Sequence, residues 1–210
     1  KLLSSREFSV GNNALLDTAI EKLKKNGIKV HLAKDKAEAV DIISNEIGDE
    51  KLIVKSKSNV TKEIELTKAL EKKGVTVVET DIGDRIMQIL KTSPSHPTGP
   101  VTHLSAKEIA EGLSKHYDRP VKDDPDEIVK IVREDVISNL SRARTGITGA
   151  NAITAEEGSI VMTHNEGNIY EVMRKEKHIV VTSIDKIYPD IESAMNMLKV
   201  LSYNATGSII

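Results

Sequence analysis

The chain has 210 residues, 30 Lys and Arg against 32 Asp and Glu, a net charge of −2 and no cysteine. That length supports a full hydrophobic core, while the missing cysteine removes any disulfide framework, thiolate nucleophile or iron–sulfur ligand set within the sequence. The charge balance gives no general pull toward nucleic acid or acidic membranes, and one Phe, four Tyr and no Trp offer no base-stacking platform. No apolar run approaches the ~20 residues of a membrane span, so membrane insertion is not expected. The opening residues KLLSSREFSV do not read as a secretory signal. A cytoplasmic location is the expectation, with which the lack of cysteine agrees.

Apolar residues at Leu15, Leu16, Ala19, Ile20 and Leu23 predict a helix over 15–25, stopped by Asn26-Gly27. Ile28–Leu32 then reads as a short strand. Asp35 is placed to cap a helix through Ile47, and Gly48 follows as its stop. Leu52, Ile53 and Val54 form the next strand, which runs into Lys55-Ser56-Lys57-Ser58. A helix is predicted from Thr61 to Lys73, closed by Gly74, and Val75–Val78 is a third strand ending in Glu79-Thr80-Asp81. Asp81 can start the helix that carries Ile82, Ile86, Ile89 and Leu90. Three successive helix–strand repeats predict an α/β fold with a parallel sheet and helices on both faces. Ligands in such sheets gather at the carboxyl ends of the strands, where the KSKS segment and Glu79-Thr80-Asp81 both fall.

The segment 93–100 (SPSHPTGP) has three prolines in eight residues and cannot be regular structure. Helices are predicted over 106–116 and 125–142, with Pro125 in the first turn of the second. The pattern then shifts to short strands at 146–148, 152–154 and 159–163, and Glu156-Glu157-Gly158 is short enough to close a hairpin between the last two. A strand at 178–182 and a helix over 189–201 complete the chain, which reads as a single α/β domain over 1–210, with a piece of a longer protein left open.

Four groups of residues have the chemistry of a site. Lys55, Ser56, Lys57 and Ser58 bring two ammonium groups, two hydroxyls and backbone N–H groups to the start of a helix, an arrangement that suits a phosphate or carboxylate and also a solvated basic turn. Glu79 and Asp81 lie at the neighbouring strand end. Ser95 and His96 sit in the proline-rich loop, where an imidazole can act as a base or be fixed by packing; no HxH or HExxH spacing occurs, so no metal site is expected. The fourth group is the stretch 146–168, GITGANAITAEEGSIVMTHNEGN, in which Gly146, Gly149, Gly158 and Gly167 punctuate Thr148, Asn151, Glu156, Asn165, Glu166 and Asn168. Glycine permits close backbone approach and positive φ, and a carboxylate beside such a turn can be a nucleophile, a base or a solvated turn residue. No GxGxxG or GxxxxGK[ST] fingerprint is present.

Taken together, these segments resemble the lactate-utilisation (LUD) domain family. The resemblance is carried by VHLAKDKAEA from Val30, VKSKSNVTKEIEL from Val54, VVETDIGDRIMQI from Val77, PSH from Pro94, the 146–168 block, HIVVTSIDKIYP from His178 and ATG from Ala205, in collinear order. It implies a Rossmann-like, three-layer parallel or mixed sheet of the NagB/RpiA/CoA-transferase type. It also implies a part in oxidising L-lactate to pyruvate alongside companion lactate-utilisation subunits. Members of this kind carry a cysteine-rich, ferredoxin-like part with two [4Fe–4S] clusters; this sequence has no cysteine, so the clusters are implied for a full-length protein or a partner and no cofactor is assigned here. Asn59 stands where the family commonly has Met, Glu157 where it commonly has Thr, and 169–177 lacks the usual Leu-Pro before His178.

Three functions follow as expectations. The first is a LUD domain that binds a small anionic substrate or nucleotide-type cofactor, with the KSKS strand end as one wall of a cleft and the 146–168 stretch as the other. The second is a CoA-transferase-like or sugar-phosphate-isomerase-like enzyme, in which Glu156, by analogy with the Glu-x-Gly turn of class I CoA transferases, is the reactive carboxylate. The third is a non-catalytic module that assembles subunits. Homo-oligomerisation is left open.

Overall fold

The computed structural model describes residues 11–93, 95–96, 99–164 and 167–207. Its elements in chain order are α1 (Asn13–Lys25), α2 (Lys36–Ile47), β1 (Leu52–Lys55), α3 (Asn59–Glu63), α4 (Leu66–Lys72), β2 (Thr76–Glu79), α5 (Ile82–Leu90), α6 (Ala106–Tyr117) and α7 (Pro125–Arg142). There follow β3 (Thr145–Gly149), β4 (Ala152–Thr154), β5 (Ser159–Val161), α8 (Asn168–Met173), β6 (Lys177–Val181), a 3-10 turn, β7 (Ile187–Tyr188) and α9 (Ile191–Thr206). They divide into two compact units. One spans Ile43–Thr148 and His164–Ile179; the other takes the described residues before Ile43, Gly149–Thr163, and those from Val180 on.

The first unit is built on a four-stranded sheet of order β2-β1-β3-β6. β1 runs parallel to both β2 and β3, pairing Val54 with Val78 and with Gly146, and Lys55 with Glu79. Side chains alternate across a strand, so Val54 and Val78 share one face, where they are buried with Val136, Leu140 and Ala143 of the α7 end and Val172 of α8. Gly146, paired with Val54, lies on that face, where a Cβ would come 2.3 Å from the Val172 carbonyl oxygen. The opposite face carries Ile53, Val77 and Ile147, all buried. Thr61 of α3 and Thr67 of α4 reach that face, bonding to Lys55 and Glu79. The result is the α/β, Rossmann-like arrangement of a parallel sheet between helices. A further core joins α5, α6 and α7 through Ile86, Ile109, Leu113, Ile128 and Val132.

β2 is an edge strand, and its outward backbone groups need partners. Gln88 supplies them: Nε2 donates to the Val77 carbonyl and Oε1 accepts the Glu79 N–H at 3.2 Å, as a neighbouring strand would. Arg85 fixes the amide, with Nη1 2.6 Å from Gln88 Oε1 and Nε 2.7 Å from Asp135 Oδ2.

The second unit contains a three-stranded sheet of order β5-β4-β7, antiparallel between β4 and β5 and parallel between β4 and β7. Ala19 and Leu23 of α1 pack on Ile153, Ala155 and Ile187, and Ala194 and Met197 of α9 pack on Ala152 and Tyr188. The β4–β5 turn locks onto the end of α1. Asn26 Nδ2 donates to the carbonyls of Glu157 and Gly158 at 2.9 and 3.0 Å. Gly158 has φ +63°, and a Cβ on it would lie 2.6 Å from the Lys22 backbone.

The predicted elements hold apart from two. Ile28–Leu32 forms no strand: Ile28 and Val30 pack on the α1 core and Leu32 is exposed. Alternating burial assigns a face, but a strand also needs a ladder partner. The helix predicted over 61–73 starts earlier, capped by Ser58, and breaks at Glu65, whose φ is +53°. That break lets α4 bury Leu66 and Leu70 completely.

Replacing Gln88 by Ala leaves two β2 backbone groups without partners, and is expected to lower stability by about 1–3 kcal/mol. Urea unfolding would read this as a lower midpoint at unchanged slope.

Candidate functional site

β1 ends at Lys55 and β2 at Glu79, and the two are paired in register, so both side chains leave the same face of the sheet at its carboxyl edge. Lys55 is 1% exposed. Its Nζ lies 2.9 Å from Glu79 Oε1 and donates to Thr61 Oγ1 and to the Ser56 carbonyl, each at 3.2 Å. An ammonium has three donors, and here all are used. Ser58 positions Thr61: its Oγ accepts the Thr61 N–H at 3.4 Å, and its carbonyl accepts from Thr61 Oγ1 at 3.0 Å.

The carboxylates are not satisfied in the same way. Glu79 Oε1 also accepts from Thr67 Oγ1 at 3.4 Å, but Glu79 Oε2 is buried without a partner. Asp81 caps α5, its Oδ1 accepting the Asp84 N–H at 3.1 Å. Asp84 Oδ1 pairs with Lys62 Nζ at 3.0 Å, while Asp84 Oδ2 is buried without a partner. Ser56 Oγ is a third such atom. Burial pushes the Glu79 carboxyl above the usual carboxylate range; the Lys55 charge and hydrogen bond pull it back without cancelling the effect, Asp84 adds to the rise and Lys62 opposes it. The two ion pairs therefore act within one electrostatic environment. Thr80 joins the edge together: its N–H donates to the Lys55 carbonyl at 2.9 Å, and its Oγ1 accepts from Asn168 Nδ2 at 3.1 Å.

On β3 and β6, Thr148 Oγ1 and His178 Nε2 are 2.8 Å apart. Burial lowers the His178 pKa from its ordinary 6.5, which favours the neutral ring with one donor and one acceptor nitrogen.

The structure thus brings together Lys55, Ser56, Ser58, Glu79, Asp81 and Asn168 of the predicted residues, with Lys57 half-buried between Ser56 and Ser58. Gly167 has φ +73° and precedes α8 as its cap residue, and Gly149 closes β3. Ser95 and His96 are exposed, and Ser95 bonds to the Pro100 carbonyl. Asn165 and Glu166 lie outside the described residues. Asn151, Glu156 and Gly158 belong to the other unit. Asn151 Oδ1 there accepts the Thr163 N–H at 2.8 Å. Glu156 is exposed on the β4–β5 turn, as is Glu157, whose Oε1 accepts the Ile191 N–H at 3.1 Å. Sequence reasoning placed Thr80 at the strand end without a role and missed Thr61, Lys62, Asp84 and the His178 partnership. Thr61 and Asp84 each stand three residues after a helix cap, Ser58 and Asp81, and that spacing was the available signal.

Comparison with known proteins gives this geometry a context. The LUD domain profile matches residues 16–209. The chain belongs to the LUD domain family. Among curated LUD relatives, lactate utilization protein B of Oceanobacillus iheyensis is 34% identical over 190 residues, and that of Bacillus cytotoxicus is 35% identical over 190 residues. Each match covers 89% of this LUD chain but 40% of the relative's length. No solved structure matches. Among the described residues, no helix is long and apolar enough to cross a membrane, and no group of three or more His, Asp or Glu is arranged to hold a metal ion.

Two outcomes follow from these electrostatics. Lys55→Met leaves a buried Glu79 without its cation and is expected to cost about 3–5 kcal/mol, most of it recovered in the double variant Lys55→Met/Glu79→Leu; chemical denaturation of the three proteins measures both. For His178, a lowered folded pKa means that the proton binds the unfolded chain more tightly. Its contribution is present above pH 6.5 and is lost as pH falls toward the folded value. Thermal melts from about pH 7.5 to 5 should show a steeper loss for the unaltered protein than for His178→Gln.

Proposed function

We propose that this LUD domain is the ligand-binding part of a lactate-utilisation system, taking a small carboxylate-bearing ligand such as lactate or pyruvate, or a nucleotide-type cofactor, at the carboxyl edge around Lys55 and Glu79. The observation that carries this reading is the concentration of buried, partnerless polar atoms there: Ser56 Oγ, Glu79 Oε2 and Asp84 Oδ2. Buried polar atoms without partners are uncommon in native proteins and call for an explanation, and strand carboxyl ends are where parallel α/β sheets take ligands. The Lys55 ammonium is committed to Glu79; on this reading the candidate cation for a ligand carboxylate is Lys57, half-buried between Ser56 and Ser58. The names of the relatives supply the substrate class.

With no cysteine in the sequence, the residues present do not fit an iron–sulfur cluster. On this reading the domain binds and orients, and the electrons pass to clusters in a companion lactate-utilisation subunit or in another part of a longer protein. The carboxylate that burial pushes up is Glu79, whereas Glu156 is exposed. That contrast favours binding at the sheet edge over acyl transfer on Glu156.

Isothermal titration calorimetry with L-lactate, pyruvate and adenine nucleotides tests the proposal. At least one should bind saturably, and Lys57→Ala should weaken it about tenfold or more, the loss of a charge-assisted hydrogen bond. Absence of binding by all of them would remove the reading.

A further inference from the structure

Asn26-Gly27 is the only Asn-Gly step in the sequence, and it lies where α1 ends against the β4–β5 turn. Helix end and turn both belong to the second unit. Asn26 Nδ2 donates to the carbonyls of Glu157 and Gly158 at 2.9 and 3.0 Å. A carboxamide nitrogen has two donors, one for each of these carbonyls. Gly158 is seated so closely that a Cβ on it would meet the Lys22 backbone at 2.6 Å. Asn26 and Gly27 are themselves exposed. Gly27 has φ +82°, and its N–H donates to the Lys24 carbonyl at 3.0 Å. Without a Cβ, its nitrogen can be approached closely by the preceding side chain.

We infer that Asn26-Gly27 is a deamidation site controlled by this latch: the seated turn protects it, and its reaction releases the turn. In the reaction the Gly27 backbone nitrogen gives up its proton to water or hydroxide and bonds to Asn26 Cγ. The Cγ–Nδ2 bond breaks, and the side-chain nitrogen leaves as ammonia. Water then opens the five-membered imide at one carbonyl or the other, leaving an aspartate or, with the main chain running through Cβ, an isoaspartate. No oxidant or reductant takes part. The folded chain opposes the first step twice. It fixes the carboxamide on two carbonyls of the turn, and it engages the Gly27 N–H with Lys24. The product in turn cannot remake the latch, because a carboxylate only accepts hydrogen bonds and would face two carbonyl oxygens. Its charge would stand at the carboxyl end of α1, where the helix dipole disfavours it and Lys22, Lys24 and Lys25 offset it. The two lost donors then decide the outcome, and the release of the turn that carries Glu156 and Glu157 runs one way.

Protection is tested by ageing the full chain at mildly alkaline pH, folded and unfolded in guanidinium chloride, with peptide-mapping mass spectrometry of the Asn26 segment. The folded protein is expected to deamidate there at least about tenfold more slowly, since the reaction needs local opening. Gly158→Ala, which sets a Cβ against Lys22, should raise the folded rate severalfold. Equal rates in the folded and unfolded chain, no reaction at Asn26 in the unfolded chain, or an unaltered rate in folded Gly158→Ala each overturn the inference. Release is tested by hydrogen exchange of the Gly158 and Ser159 amides in Asn26→Asp and in Asn26→Ala, which loses the donors without gaining a charge. Both variants should exchange at least about fivefold faster than the unaltered protein at these positions. Unchanged exchange in both, or faster exchange in Asn26→Asp alone, overturns the latch. Should a variant fail to fold, the folded-against-unfolded rates and the exchange of the aged, unaltered protein decide.

Discussion

The buried ion pair between Lys55 and Glu79 is the constraint around which the sheet's carboxyl edge is arranged. Moving two charges out of water costs several kcal/mol per ion, and their attraction offsets this only if the geometry is good and the remaining hydrogen-bonding capacity is met. On the lysine side that condition is satisfied. The parallel register sets Lys55 beside Glu79, the Ser58 cap turns Thr61 toward Nζ, and the Ser56 carbonyl takes the third donor. On the carboxylate side it is not, because Glu79 Oε2 has no partner. Well-packed apolar residues in place of such a pair are often neutral or stabilising. Stability alone is therefore a weak reason for charge at such positions, which is why the pair directs attention to a ligand.

The edge strand and the site are held by the same helix. Gln88 accepts the Glu79 N–H, and so fixes the backbone from which the buried carboxylate projects. Arg85 and Asp135 brace Gln88. One turn earlier, Asp84 comes from the start of the same α5, held by the Asp81 cap. Edge protection, cap and candidate site are thus mechanically linked, and a disturbance at Gln88 reaches Glu79 through a single backbone bond.

Much of the framework was legible because it is written in local chemistry. Asp35, Asp81 and Pro125 mark helix starts that the structure keeps, and the short apolar runs around Ile53 and Val77 became parallel neighbours. What local pattern could not provide was pairing. Ile28 and Val30 have the burial rhythm of a strand without a ladder. The KSKS segment and Glu79 were recognisable as strand-end residues, but the register decided that Lys55 would be neutralised by Glu79 and not left open to an anion. The one signal for Asp84 and Thr61 was their spacing from a cap, which helix capping also explains on its own. The glycines drew attention to the 146–168 stretch as possible contacts with a ligand. At Gly146 and Gly158 the close approach that excludes a side chain is made by the protein itself, by Val172 and Lys22.

With no cysteine the chain supplies no ligand set for an iron–sulfur cluster, and on the proposed reading its part is to bind. Each unsatisfied buried polar group costs a fold about 1–3 kcal/mol, and Ser56, Glu79 and Asp84 each contribute one such atom near the carboxyl edge. Water would satisfy lone pairs without discriminating between solutes. On the proposed reading, binding of a ligand includes the relief of groups that the folded chain holds ready and unpaired. Such preorganisation places the ordering cost in folding and leaves less to be met at binding. On that reading Lys55, with all its donors used, serves recognition by holding Glu79 in place and not by touching the ligand.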